Sequence, residues 1–252
     1  QITPIRFMLL KLESPKLFAD LITIISELVT EVKLKINKEG MFLTALDPAN
    51  VAMVYFKLPS ELFSEFNLPN PESTEVLGLN LENLKAILRR CNPGSSLIME
   101  KDGNILKISI QDRIKREFSL ALLDIDVEEK NLPEWEFNSV IKINSDSLVE
   151  VSEDCMIVSD ACSFISEPTK FIVEAHGMNS ARAEFSSDEV EIHSAKSMAR
   201  FSLDYLNKFA RGARISSKAS LSFSDNHPMR LDFTTGNVIL SFVLAPRIEQ
   251  ED

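Results

Sequence analysis

Three histidines (His176, His193, His227) and three cysteines (Cys91, Cys155, Cys162) are the side chains best suited to holding a metal or attacking a substrate. No histidine has a cysteine or carboxylate partner at the spacing a zinc site uses, and the cysteines form no CxxC pair. An odd number of thiols without paired spacing reads as reduced cysteine in an intracellular protein. The chain has no GxSxG, no P-loop and no GxGxxG, and its seven glycines leave little for phosphate-cradling loops. Its carboxylates are many but scattered through charged stretches, where they solvate more often than they catalyse. The residues therefore nominate no catalytic group, no metal site and no cofactor. A two-domain enzyme with a motif-free site is the rival reading from another functional class.

What does recur is positive charge at helical spacing. Lys85, Arg89 and Arg90 follow one apolar stripe, and Lys208, Arg211 and Arg214 follow another. Cations at such spacing are ordinarily a solvated helix face. Six of them in two equivalent places, on a chain of net charge −11, raise phosphate binding as a second reading beside it. They offer no means of reading bases, which requires side chains fitted to a groove.

The elements that carry these cations come in two copies. In the first half, Arg6–Leu12 reads as a strand, Ser14 and Pro15 open a helix reaching Val29, and alternating strands follow with turns at 38–40 and 47–50. Leu81, Leu84, Ile87 and Leu88 then share the buried face of a second helix, and further strands run to Leu122. The second half repeats the order. Phe201–Arg211 lies over Leu79–Arg89 at a constant offset of 122, apolar on apolar, acid on acid, arginine on arginine. With two residues inserted, Phe118 and Leu120 fall on Phe242 and Leu244. Leu148, Val151, Cys155 and Val158 are the expected buried positions of the third helix, whose polar side carries Glu150, Glu153 and Asp154. The expected fold class is α+β: two duplicated domains, each with two helices on one face of antiparallel sheet.

Between the copies, Ala121–Phe137 fits neither period. Six carboxylates against one lysine give it a net charge of about −5, which favours an extended, solvated strap. Ile125, Val127, Leu132 and Pro133 interrupt the charge and allow it to adhere to a surface beneath. The ring of Trp135, the chain's one tryptophan, is expected to fold onto the adjacent sheet. The division expected is residues 1–123, a connecting loop at 124–135, and residues 136–252. The 44% hydrophobic content and a mean hydropathy near zero fit packed cores, and no apolar run is long enough to span a membrane.

Several segments carry a resemblance. Glu39-Gly-Met-Phe-Leu-Thr-Ala-Leu46-Asp47-Pro, Leu58-Pro-Ser-Glu-Leu-Phe-Ser, Leu123-Asp-Ile-Asp-Val-Glu with Leu132-Pro-Glu, Tyr205-Leu-Asn and Leu244-Ala-Pro-Arg-Ile-Glu occur in family order over essentially the whole chain. In them the sequence resembles the sliding clamps of the proliferating cell nuclear antigen family, particularly the archaeal ones. The resemblance implies two sliding-clamp (processivity-fold) domains per chain, assembling into a three-subunit, pseudo-sixfold ring that encircles double-stranded DNA, helices inside and sheets outside. It implies no enzymatic activity. The implied partners are a DNA polymerase, the clamp loader, flap endonuclease and DNA ligase, which insert a Gln-x-x-aliphatic-x-x-aromatic-aromatic peptide beneath the connector.

Carried over position by position, that peptide site comprises Leu46, Asn50, Val51, Ile125, Val127, Leu132, Pro228, Val243, Leu244, Ala245 and Pro246. The DNA-facing residues are Lys85, Arg89, Arg90, Lys208, Arg211 and Arg214. The subunit interface pairs an edge strand around Phe118 with one containing Asn179, Ala181, Ala183 and Phe185. Two further subunits complete the ring, with a homotrimer favoured narrowly over a specialised heterotrimeric clamp of repair or checkpoint type. The implied location is intracellular: cytoplasm or nucleoid in an archaeon, nucleus in a eukaryote. Four positions depart from the family pattern. Lys130 stands where an apolar residue is usual, Val243 where an aromatic is common, and Glu150 and Glu153 where bases face DNA in human-like members.

Overall fold

The computed structural model describes residues 7–127 and 129–248. Arg6, at the start of the first expected strand, and Glu128 of the connector lie outside the described residues. The backbone divides into two compact units. One is the first part of the chain through Ala45 with Tyr55–Lys130; the other is Leu46–Val54 with the chain from Asn131 onward.

In the first unit, β1 (Met8–Leu12) leads into α1 (Lys16–Ser26), then β2 (Glu31–Asn37), β3 (Gly40–Leu46) and β4 (Ala52–Pro59), of which Leu46 and Ala52–Val54 fall in the second unit. A 3-10 turn at Ser60–Leu62 precedes β5 (Glu65–Asn67) and β6 (Glu75–Asn80); α2 (Leu81–Leu88) and the meander β7 (Ser96–Asp102), β8 (Ile105–Gln111), β9 (Lys115–Ala121) follow. β5 and β6 were not legible as strands. β5 is three residues long, and Gly78 inside β6 weakens strand propensity for a reason that appears below. α1 is shorter than the expected span: Pro15 is its N-cap, with no side-chain cap, and the helix proper ends at Ser26.

The second unit repeats this plan. β10 (Ser139–Asn144), α3 (Ser145–Met156), β11 (Ala161–Glu167), β12 (Lys170–His176), β13 (Ser180–Ser186), β14 (Glu191–Ser194) and β15 (Ser197–Ser202) lead to α4 (Leu203–Ala210). A 3-10 turn at Arg211–Arg214 then connects to β16 (Lys218–Phe223), β17 (Met229–Thr235) and β18 (Val238–Leu244). The offset of 122 read from sequence carries β6 onto β15 and α2 onto α4, residue for residue.

Sheet topology repeats as well. The first unit contains the strand order β5-β1-β7-β8-β9 and the second β14-β10-β16-β17-β18, all pairs antiparallel. The companion set, β4-β3-β2-β6 in the first, is matched by β13-β12-β11-β15 in the second. α1 packs on α2, and α3 on α4. The buried faces follow the sequence periodicity: Leu81, Leu84, Ile87 and Leu88 in α2, and Leu148, Val151 and Cys155 in α3. Val158, expected in that buried set, lies past the helix end and is half-buried. Phe164, Phe171, Phe201 and Phe223 meet at 5.3–6.1 Å, and Phe209 stacks on Phe242 at 4.4 Å.

Candidate peptide, DNA and subunit surfaces

The turn after β3 begins at Asp47, a buried carboxylate. Its Oδ1 accepts from the backbone N–H of Val51 and of Ala52, both at 2.9 Å, and its Oδ2 accepts from the Tyr205 hydroxyl on α4. Asp47 N–H donates to Ala52 O at 3.0 Å, and Asn50 sits at φ 57, a left-handed conformation that asparagine tolerates. The outcome is a closed turn presenting Asn50 and Val51, the latter 37% exposed.

Neighbouring members of the expected peptide site belong to the same unit. Ala245 N–H donates to Val51 O at 2.9 Å, which brings the C-terminal stretch beside the turn. Leu46, Leu132, Pro228, Ala245 and Pro246 are half-buried, as residues lining an open apolar surface are. Val243 is buried, and Leu244, opposite Met229 in β17, is only 1% exposed. The Leu244 side chain is therefore core, and only its backbone is near the surface in question. Trp135 packs edge-on to His227 at 4.8 Å and to Phe137 at 6.2 Å, so its ring does fold onto its own unit.

The first part of the connector belongs to the first unit and is held there by three contacts. Leu122 N–H donates to Asn104 O at 2.8 Å, and Leu123 N–H to Gly78 O at 2.9 Å. A Cβ at Gly78 would stand 1.9 Å from Leu123 O, so the strap crosses β6 where only glycine leaves room. Ile125 is buried beside that crossing while Val127 is exposed. Further along, Glu129 accepts from Lys35 Nζ at 2.5 Å, and this hydrogen bond holds its carboxyl below the usual range. Gly78 and Lys35 hold the strap in place, and sequence reading missed both; a glycine interrupting an alternating strand was the signal available for the first.

The six expected DNA-facing cations divide by environment. Lys85 donates to Glu82 at 3.0 Å, and Lys208 pairs with Asp204 at 3.3 Å while lying 5.7 Å above the Tyr205 ring. Arg89, Arg90, Arg211 and Arg214 are exposed and have no ion-pair partner among the described residues. Arg89 caps α2, Arg90 follows it, and Arg211 and Arg214 bracket the 3-10 turn. That turn is pressed onto the core at Gly212, where a Cβ would meet the Phe233 ring at 2.4 Å. On α3, Glu150, Glu153 and Asp154 are exposed, so its outer face is acidic.

Both strands expected at a subunit joint are terminal in their unit's strand order, β9 after β8 and β13 after β12. They share one burial alternation, with Arg116, Phe118 and Leu120 half-buried in β9 and Ala181, Ala183 and Phe185 half-buried in β13. Asn179 precedes β13, and its carbonyl accepts from Gly177 N–H at 2.8 Å. Beside β13 a cleft of about 400 Å³ is lined by Val151, Asp154, Cys155, Ile157, Val158 and Ser180–Ala183, with Ile157 82% exposed at its rim. Burial pushes the Cys155 and Cys162 thiols up, so neither is a thiolate nucleophile. Among the described residues no group of three or more His, Cys, Asp or Glu could hold a metal ion, and no helix is long and apolar enough to cross a membrane.

The repeated topology is matched by sequence over the same span. Residues 7–131 match the N-terminal domain, and residues 131–248 the C-terminal domain, of proliferating cell nuclear antigen. The chain belongs to the proliferating cell nuclear antigen family. It is 30% identical over 246 residues to the DNA polymerase sliding clamp of Thermococcus gammatolerans, covering 94% of this chain and 97% of that one. The DNA polymerase sliding clamp of Nanoarchaeum equitans is 29% identical over 241 residues, covering 92% and 96%. In fold the chain is similar to the crystal structure of the Entamoeba histolytica proliferating cellular nuclear antigen, with TM-score 0.89 at 22% identity over 96% of this chain and 99% of that one. The Thermococcus kodakaraensis protein gives TM-score 0.87 at 23% identity, covering 95% and 100%. Leu46–Val54 apart, which falls in the N-terminal match but in the second unit, the two units coincide with the two family domains, each with two helices and antiparallel sheet.

Proposed function

We propose that this chain is a subunit of a DNA polymerase sliding clamp: a non-catalytic ring component that encircles duplex DNA and tethers replication and repair enzymes. The observation that carries the reading is the family match of both halves, 7–131 and 131–248, on a backbone whose halves repeat one topology. Polymerase processivity on primed circular DNA, with clamp loader present, tests it. Added chain should lengthen the products, and unchanged product length would overturn the reading.

DNA is contacted weakly and without sequence preference, through Arg89, Arg90, Arg211 and Arg214 foremost, with Lys85 and Lys208 partly neutralised by their own helices. So few cations hold linear duplex poorly, whereas a closed ring is retained by topology. Partner peptides of the Gln-x-x-aliphatic-x-x-aromatic-aromatic type, from polymerase, clamp loader, flap endonuclease and ligase, dock at the connecting loop 124–135 between an N-terminal domain, 1–123, and a C-terminal domain, 136–252. Leu46, Asn50, Val51, Ile125, Val127, Leu132, Pro228, Val243, Ala245 and Pro246 supply that surface, and Leu244 supports it from within.

Three copies close the ring. In support, β9 and β13 are terminal in their strand orders among the described residues and alternate alike, and each exposed face carries both signs: Lys115 and Glu117 on β9, Arg182 and Glu184 on β13. Such faces can pair crosswise between identical chains. The purified chain should scatter light as three times its 28.4 kDa; a lone species of 28.4 kDa would favour the heterotrimeric reading, to which the acidic outer face of α3 is also suited.

A further inference from the structure

We infer that Tyr205 is a positioning residue for the peptide site, acting through Asp47 to hold the 47–52 turn in its binding shape; the inference rests on the proposed peptide reading.

Two backbone hydrogen bonds, Asp47 N–H to Ala52 O and Asn50 N–H to Asp47 O, both at 3.0 Å, close the turn, but they do not fix its Val51 side. Asn50 is left-handed, and Pro48, Ala49 and Asn50 are exposed, so no packing pins the tip. The Val51 and Ala52 amides are held by one carboxylate, and that carboxylate is buried. A buried charge is tolerated only when its acceptor sites are filled. Oδ1 is filled by the two backbone N–H groups of the turn, and Oδ2 by the tyrosine hydroxyl. Without that hydroxyl, Oδ2 has two remedies: rotate toward water, which pulls Oδ1 off Val51 and Ala52, or stay as an uncompensated acceptor. Rotation reaches Val51, whose carbonyl also receives Ala245 N–H, so the turn and the C-terminal stretch beside it move together, and an unfilled Oδ2 favours that rotation.

The tyrosine is itself well fixed. It lies in the first turn of α4, its ring 6.3 Å from Phe209, which stacks on Phe242 in the core. Burial, and then its contact with Asp47, push the phenol up to about 12, so it stays a donor throughout the physiological range. Here a rigid helix, not the loop itself, sets the geometry of a binding turn.

The test compares Tyr205→Phe, Asp47→Asn and Leu132→Ala in the full chain. Two readouts are taken: the Kd of a fluorescent peptide of sequence type Gln-x-x-Leu-x-x-Phe-Phe, and hydrogen exchange at the Val51 and Ala52 amides. Tyr205→Phe should raise Kd roughly five- to tenfold and speed exchange at those two amides, since a hydrogen bond to a charged group is lost. Asp47→Asn should recover to within about twofold of wild type, because Oδ1 still accepts from both amides and the new Nδ2 can donate to the tyrosine oxygen. That rescue by a conservative change is not expected of a residue that matters only for overall stability. Wild-type affinity in Tyr205→Phe, with Leu132→Ala weakened, overturns the inference and leaves the peptide site standing. Wild-type affinity in both variants overturns the peptide site and the inference together. Weakened peptide binding in Tyr205→Phe with unchanged amide exchange also overturns it, since the effect would then bypass the turn.

Discussion

Side-chain burial divides the residues of the proposed peptide site into half-buried ones available to a ligand and buried ones that serve folding. Leu132→Ala and Leu46→Ala truncate half-buried side chains and should weaken a Gln-x-x-aliphatic-x-x-aromatic-aromatic peptide by roughly 1–3 kcal/mol each, read by anisotropy titration. Leu244→Ala removes a side chain 1% exposed and should appear mainly in denaturant unfolding, at about 2–5 kcal/mol. A third residue reports on acid stability. Asp112 accepts from Ile114 N–H, the Ser95 hydroxyl, Asn92 and Arg116, the first of these being the largest influence, and its carboxyl is lowered to about 2. A carboxyl whose pKa is lower when folded contributes stability above its ordinary value of 3.8 and loses it as pH falls from there toward about 2. Urea midpoints should therefore drop across that window, and Asp112→Asn, which cannot titrate, should drop less. Residue types were fully legible beforehand, but their partners were not. Nothing in Asp47-Pro-Ala-Asn50 announces a hydroxyl supplied from a residue 158 positions away.

Among the elements, helices were read better than short strands, for a physical reason. α2 and α4 each commit four buried residues at helical spacing, a signal that survives in sequence. β5 has three residues and β6 contains a glycine required by the strap above it, so their pairing is imposed by tertiary context. The same crossing yields a prediction: Gly78→Ala should displace the strap, exposing the Ile125 side chain and disturbing the Lys35–Glu129 pair, seen as faster backbone exchange over 122–127. For the basic elements, changing Arg89, Arg90, Arg211 and Arg214 to glutamine should lower affinity for linear duplex and flatten its salt dependence by roughly 0.9 per phosphate contact removed. Lys85→Gln and Lys208→Gln should do less, since those charges already answer Glu82 and Asp204. Retention on a nicked circle should survive either set, and disappear on linearisation.

On the scale of the whole molecule the duplication was legible because equal topology demanded equal spacing of core residues: the offset of 122 is the helix α2 laid on α4. Sequence carried no sign that the second unit includes Leu46–Val54, nine residues separated by 76 others from the rest of it, which resumes at Asn131. The chain thus leaves its first unit, contributes a segment to the second, and returns before it ever reaches the connector. A protease nick in the exposed stretch around Glu129–Asn131 should give two bands under denaturing conditions yet leave the cut chain a single native species. Expressed alone, the polypeptide from Asn131 onward should be incomplete, and a synthetic Leu46–Val54 peptide should raise its thermal midpoint by complementation. Ancestry by tandem copying and independence as modules have here come apart.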